Sequence, residues 1–145
     1  MKVAVGAAAM PHERDRPLEG RRILVVEDEY IIALDLEGML RDLGCEVLGP
    51  VASVAHALAL LGREQPDAAT LDLNLLDGLA APVAELLAGM GVPFVAVSAY
   101  DAGRFGHPLL ARAPRLGKPI DGVALKNGLE RLLAREGSNA DGSAR

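Results

Sequence analysis

The feature that most constrains this chain is an alternation, five times over, of short aliphatic runs with amphipathic stretches of helical period. "RILVV" (22–26) is continuous, branched and aliphatic, the pattern of a strand buried on both faces. Ile32, Leu36, Met39, Leu40 and Leu43 then share one helical face, and Gly44 is placed to close that helix. "EVLGPVA" (46–52) reads as a second strand, kinked at Gly49-Pro50, with Ser53 as the N-cap of "VAHALALL". "DAATLD" (67–72) is a third strand, and Leu79, Val83, Leu86, Leu87 and Met90 repeat the helical spacing. "FVAVS" (94–98) is a fourth strand and "PRLGK" (114–118) a weak fifth. A final helix from about Asp121 carries Leu125, Leu129, Leu132 and Leu133 on one face, weakened by Gly122 and Gly128. Between the last two strands, Gly103, Gly106 and Pro108 oppose a helix where one is due, so a short or irregular fourth helix is expected.

Strands that each lead into an amphipathic helix indicate a parallel sheet covered on both sides. A closed eight-fold barrel needs about 250 residues, and this chain has 145. The expected fold is therefore α/β: an open, doubly wound, five-stranded parallel sheet in the flavodoxin-like order 2-1-3-4-5, with helices on both faces. Residues 1–20 carry two prolines and mixed charge without a period and are expected to form a flexible arm. The folded unit is expected over 21–136, with a Gly/Ser/Asp-rich flexible tail at 137–145.

Composition narrows the function. The net charge is −5 and no basic run exceeds Arg21-Arg22, which argues against a nucleic-acid partner. Cys45 is the only cysteine, so an intramolecular disulfide is excluded and a reducing, cytoplasmic location is expected. His12, His56 and His107 lack metal-ligand spacing with it. No apolar stretch approaches the roughly 20 residues of a membrane span.

In open parallel sheets, ligands bind beyond the carboxyl ends of the strands, where the winding reverses. Here the first strand ends in Glu27-Asp28-Glu29, the third in Asp72, the fourth in Ser98 and the fifth in Lys118; the second, outside the reversal, ends in no charge. Clustered carboxylates repel and need a counter-charge. A hard cation such as Mg²⁺ suits them, and Lys118 supplies a second positive charge. One carboxylate beside such a cation can attack a phosphoryl group, with cation, lysine and hydroxyl holding the phosphoryl oxygens. Taken singly, each residue has a plainer reading. The acid triplet can favour a helix dipole, Ser98 can cap, and Lys118 can be a solvated lysine. None of these explains why all share one edge.

The motifs "ILVVEDE", "LDLNLLDG", "VSAY" and "GKP", in this order over residues 21–136, resemble the receiver domain of bacterial two-component response regulators. That resemblance implies that Asp72 is the phosphorylated aspartate, with Ser98 and Lys118 contacting the phosphoryl oxygens. It implies Mg²⁺ held by Asp28, Glu27, Asp72 and the backbone carbonyl of Asn74, and a cis Lys118-Pro119 bond. It implies a histidine kinase or phosphotransfer protein as donor and a downstream protein target, met at the side formed by the fourth helix, fifth strand and fifth helix. No attached output module is expected, and the chain is expected to be a monomer or weak homodimer. The sequence departs from the family in placing Arg115 where a switch aromatic usually stands, in its degraded fourth helix, and in "LLDG" for "LPDG". Tyr100 is a candidate substitute aromatic. Rival readings are a small Mg-dependent phosphatase or phosphotransferase with an aspartyl nucleophile, a receiver-like module that does not accept phosphate, and a flavodoxin-like domain for FMN. The phosphatase would commonly want an acid at the position of Asn74. FMN binding is opposed by Glu27-Asp28-Glu29, which would repel a phosphate.

Overall fold

The computed structural model describes residues 17–99 and 107–143, with side chains through residue 135. The sheet strands are β1 (Arg22–Val26), β2 (Glu46–Val51), β3 (Ala68–Asp72), β6 (Phe94–Ser98) and β7 (Arg115–Gly117). β4 (Asn74–Leu75) and β5 (Gly78–Leu79) form a separate antiparallel pair. The helices are α1 (Tyr30–Asp42), α2 (Val54–Leu61), α3 (Ala81–Met90), α4 (Pro108–Arg112) and α5 (Gly122–Ser143). The sheet order is β2-β1-β3-β6-β7 and every pairing in it is parallel, so the chain reverses between β1 and β3 as expected.

Alternate residues of each strand feed two cores. Leu24 and Val26 join Leu71, Val83 and Leu87 under α2 and α3, while Ile23 and Val25 join Leu36, Leu40, Leu125 and Leu129 under α1 and α5. Removing such a side chain costs about 2–5 kcal/mol, so the sheet holds its edges rigidly.

The kink in β2 is real. Gly49 lies at φ +88°, the Gly49–Pro50 bond is cis, and the register with β1 shifts between Leu24 and Val26. A Cβ at Gly49 would stand 2.9 Å from the Val51 nitrogen and 3.0 Å from the Val25 oxygen, so only glycine fits. Ser53 caps α2 by accepting from the His56 amide at 3.1 Å. Asp121 caps α5 in the same way, accepting from Ala124 at 2.9 Å. The fourth helix is short, five residues begun by His107, whose Nδ1 accepts from Leu109.

One expectation is corrected. Leu79 does not belong to the third helix; it is 46% exposed in β5, and α3 begins at Ala81. Gly78 at φ +137° breaks the helical path that residue spacing alone suggests. Leu18, assigned to the arm, is buried beside α1 and β2, and Gly20 donates to the Gly44 oxygen at 2.8 Å. The helical backbone of α5 runs to Ser143, into the segment expected to be a loose tail.

Candidate acidic site at the carboxyl edge of the sheet

Strand register assembles the site. Val26 pairs with Leu71, Asp72 with Val97, and Ser98 with Gly117, so Glu27, Asp72, Ser98 and Lys118 reach the same edge in neighbouring strands. Asp72 is 5% exposed, Glu27 2% and Ser98 6%, so two carboxylates and a hydroxyl are held almost out of water. The Lys118–Pro119 bond is cis.

The Lys118 ammonium is the hub. Its Nζ lies 3.2 Å from Glu27 Oε2, 3.2 Å from Asp72 Oδ2 and 2.5 Å from Glu29 Oε1. Backbone amides add to the network: Asn74 donates to Asp72 Oδ1 at 3.2 Å and Glu29 donates to Glu27 Oε2 at 3.0 Å. One ammonium thus faces three carboxylates, with Asp28 beside them.

The titrating groups register this imbalance. Burial, and then the neighbouring Glu27 carboxyl, push Asp72 up from 3.8 to about 6, against the Asn74 amide, which favours its ionised form. Asp28 is raised by desolvation and by Asp72. Burial would lower Lys118, but Glu29, Asp72 and Glu27 together outweigh it, and its pKa rises.

A hard divalent cation fits this donor set. Carboxylate oxygens of Glu27, Glu29 and Asp72 lie within 4.8 Å of one another, and Glu27 Oε1 is buried with no hydrogen-bond partner. All the donors are oxygens, as Mg²⁺ requires. Asp28 stands outside this group of three but next to Asp72, whose carboxyl acts on it by hydrogen bond and by charge. Glu29 is the residue sequence reasoning missed. It appears in the acid triplet but was given no role, although its carboxylate is the nearest of the three to Lys118. Arg115 lies exposed in β7, paired in register with Ala96. Tyr100 lies outside the described residues.

No family model matches the chain. Among solved structures it is similar to the receiver domain of the sensor histidine kinase PA1611 from Pseudomonas aeruginosa, determined with a magnesium ion coordinated in the active-site cleft. The identity is 30% and the TM-score 0.70, covering 79% of this chain and 98% of that one. It is 33% identical over 83 residues to the transcriptional regulatory protein PdtaR of Mycobacterium tuberculosis, covering 56% of this chain and 40% of that protein. It is 32% identical over 134 residues to PrrA of the same organism, covering 90% of this chain and 57% of that protein. The chain thus spans about half the length of these curated relatives. No helix among the described residues is long and apolar enough to cross a membrane. The parallel order β2-β1-β3-β6-β7, the acid-and-lysine edge and a match across nearly the whole of the Pseudomonas domain lead to one conclusion: the chain belongs to the receiver-domain family of two-component response regulators.

Proposed function

We propose that this receiver is a phospho-acceptor: Asp72 takes a phosphoryl group from a histidine kinase or phosphotransfer protein, and the modified domain changes its contacts with a downstream protein. The observation that carries the reading is the placement of Asp72, buried at the end of a central strand with the Lys118 ammonium 3.2 Å from its Oδ2. A strand end fixes the nucleophile, and fixed geometry is the main contribution a protein makes to phosphoryl transfer.

An Asp72 carboxylate oxygen attacks phosphorus, the bond to the donor breaks, and an acyl phosphate results. Lys118 neutralises phosphoryl charge from its present position, and Ser98 supplies a hydroxyl from the neighbouring strand end. Glu27, Asp28, Asp72 and the Asn74 carbonyl, with Glu29 added by geometry, are the residues that would hold Mg²⁺. When bound, that ion supplies positive charge against the three phosphoryl oxygens. The reaction transfers one group and stops, as in a signalling domain rather than a turnover enzyme. A cytoplasmic location follows from the donor, and the folded unit acts as a monomer or weak homodimer. The phosphoryl group adds nearly two negative charges, and the loops around it carry the change to the face made by α4, β7 and α5.

The test is incubation of the full chain with Mg²⁺ and acetyl phosphate, followed by intact mass. One added phosphoryl group that disappears in Asp72→Asn supports the reading. No adduct from either acetyl phosphate or a phosphorylated histidine donor overturns it, and steady turnover of a phosphomonoester would favour the phosphatase instead.

A further inference from the structure

The chain between Asp72 and α3 is a small antiparallel turn whose tip has an unusual anchor. Asn74 pairs with Leu79 and Leu75 with Gly78, leaving Leu76 and Asp77 at the tip. Leu76 at the tip is 73% exposed, while Leu75 beside it is buried in the core, so the outermost part of the turn, Leu76 and Asp77, has no apolar anchor. Asp77 instead reaches across to the start of α2, where its Oδ1 accepts from the Val54 amide at 2.7 Å and its Oδ2 from the Ala55 amide at 3.1 Å. Those two bonds are also the main reason its carboxyl is held below the usual range. α2 already has a local cap in Ser53. A second cap from 22–23 residues away does more than end a helix: it ties two loops together.

The other end of the turn touches the site. The Asn74 amide donates to Asp72 Oδ1, and Ala80 donates to the Leu73 oxygen at 3.1 Å, closing the turn at its base. The Asn74 peptide therefore sits between buried Leu73 and Leu75, with a base fixed by β3 and a tip fixed by Asp77.

We propose that Asp77 is a positioning residue for the acidic site, holding the Asn74 peptide in place against Asp72 by clamping the turn to α2. The inference rests on the reading of the edge as a Mg²⁺-dependent phospho-acceptor site, and it names the part of the fold that keeps that site's backbone ligand in register. With the clamp released, the tip beyond Leu75 loses its tie to α2, the Asn74 peptide is held from one side only, and cation binding must then order it.

The experiment compares three variants of the full chain: Asp77→Ala, Asp77→Asn and Ser53→Ala. Each is titrated with Mg²⁺ alone, without a phosphodonor, by calorimetry. Amide hydrogen exchange is read at Asn74 and Ala80. Ser53→Ala removes a cap from the same helix but leaves the clamp, so it controls for simple loss of helix stability. Asp77→Ala is expected to weaken Mg²⁺ binding roughly tenfold, in the range for supporting residues around metal ligands, and to speed exchange at Asn74. Asp77→Asn retains one acceptor and should fall between. Ser53→Ala should leave the affinity within about twofold. Equal shifts in Asp77→Ala and Ser53→Ala, or none in either, overturn the proposal. If the wild-type chain binds no Mg²⁺, the reading of the site fails, and the exchange rates still decide the clamp: unchanged protection at Asn74 in Asp77→Ala sinks it.

Discussion

The two ends of the sheet handle charge in opposite ways. At the amino ends of the strands, Arg21 and Arg22 face Asp67, Glu46 and Glu64. Arg22 bonds to Glu64, lies 3.6 Å from Glu46, and donates its amide to Asp67 at 2.7 Å; Arg21 lies 4.0 Å from Asp67. These groups lie at the surface and the signs are nearly matched. At the carboxyl ends, Glu27, Glu29 and Asp72 converge on a single lysine, and Glu27 and Asp72 are buried. The same strands thus carry a balanced rim at one end and an uncompensated charge at the other. A buried excess of one sign opposes folding unless a ligand relieves it. A bound cation at this edge would supply that relief.

Removing the hub should break this contrast most severely. Lys118→Ala leaves Glu27 and Asp72 buried without an ammonium, which costs about 3–5 kcal/mol when one partner of a buried ionic network is lost. We expect that loss in urea unfolding at pH 8 with chelator present, and expect millimolar Mg²⁺ to recover part of it. A loss no larger than that of an exposed pair would mean the pocket is wet and the carboxylates are solvated.

The converse change should stabilise. Asp72 has its pKa raised from 3.8 to about 6, so the folded state binds its proton more tightly than the unfolded chain does. The stability this contributes is fully present below 3.8 and is lost as pH rises through 6. The metal-free protein should therefore gain stability from this group as pH falls from 7 to 5, against the usual trend of acid destabilisation. Lys118, also raised, keeps its contribution throughout that window and does not alter the sign. Asp28, raised by burial and then by Asp72, adds to the same trend. Asp72→Asn removes the Asp72 share and one cause of the Asp28 shift. It should therefore flatten most of the profile and raise stability at pH 8 by about 1–2 kcal/mol, discounted for water at the pocket mouth. Unfolding curves across pH, with and without Mg²⁺, measure this. A profile in Asp72→Asn that still rises as steeply toward pH 5 would assign the effect to another acid.

Much of this end was legible from residue order. The strand ends could be read because an aliphatic run that stops on a carboxylate is rare without a reason, and register then does the assembly. Ser53 as a cap and Gly49-Pro50 as a kink were local signals. What escaped was non-local. Glu29 becomes the nearest partner of Lys118 through a contact 89 residues away, and nothing in the triplet distinguishes it from its neighbours. Asp77 sits at a turn tip, but its contact with α2 depends on that helix arriving beside it, 22–23 residues away in sequence. Leu79 satisfied a helical spacing that takes no account of the backbone angle at Gly78. Leu18 lay in a segment with no period, and its burial depends on where α1 and β2 leave a gap.

The balanced rim offers the smallest effect and the control for the rest. Arg22→Ala removes the contacts to Glu64 and Glu46, but all three groups sit near water, where such pairs contribute little and are screened by salt. Its backbone amide still donates to Asp67, so the strand start remains anchored. The melting temperature should move by no more than about 2 °C, in the direction of lower stability, and the shift should shrink as salt is raised from low to near-molar concentration. Mg²⁺ affinity should not change, because the rim and the acid pocket stand at opposite ends of β1. A change in Mg²⁺ binding on Arg22→Ala would show that charge at one end of the sheet is felt at the other, and that the two regions are not electrostatically separate.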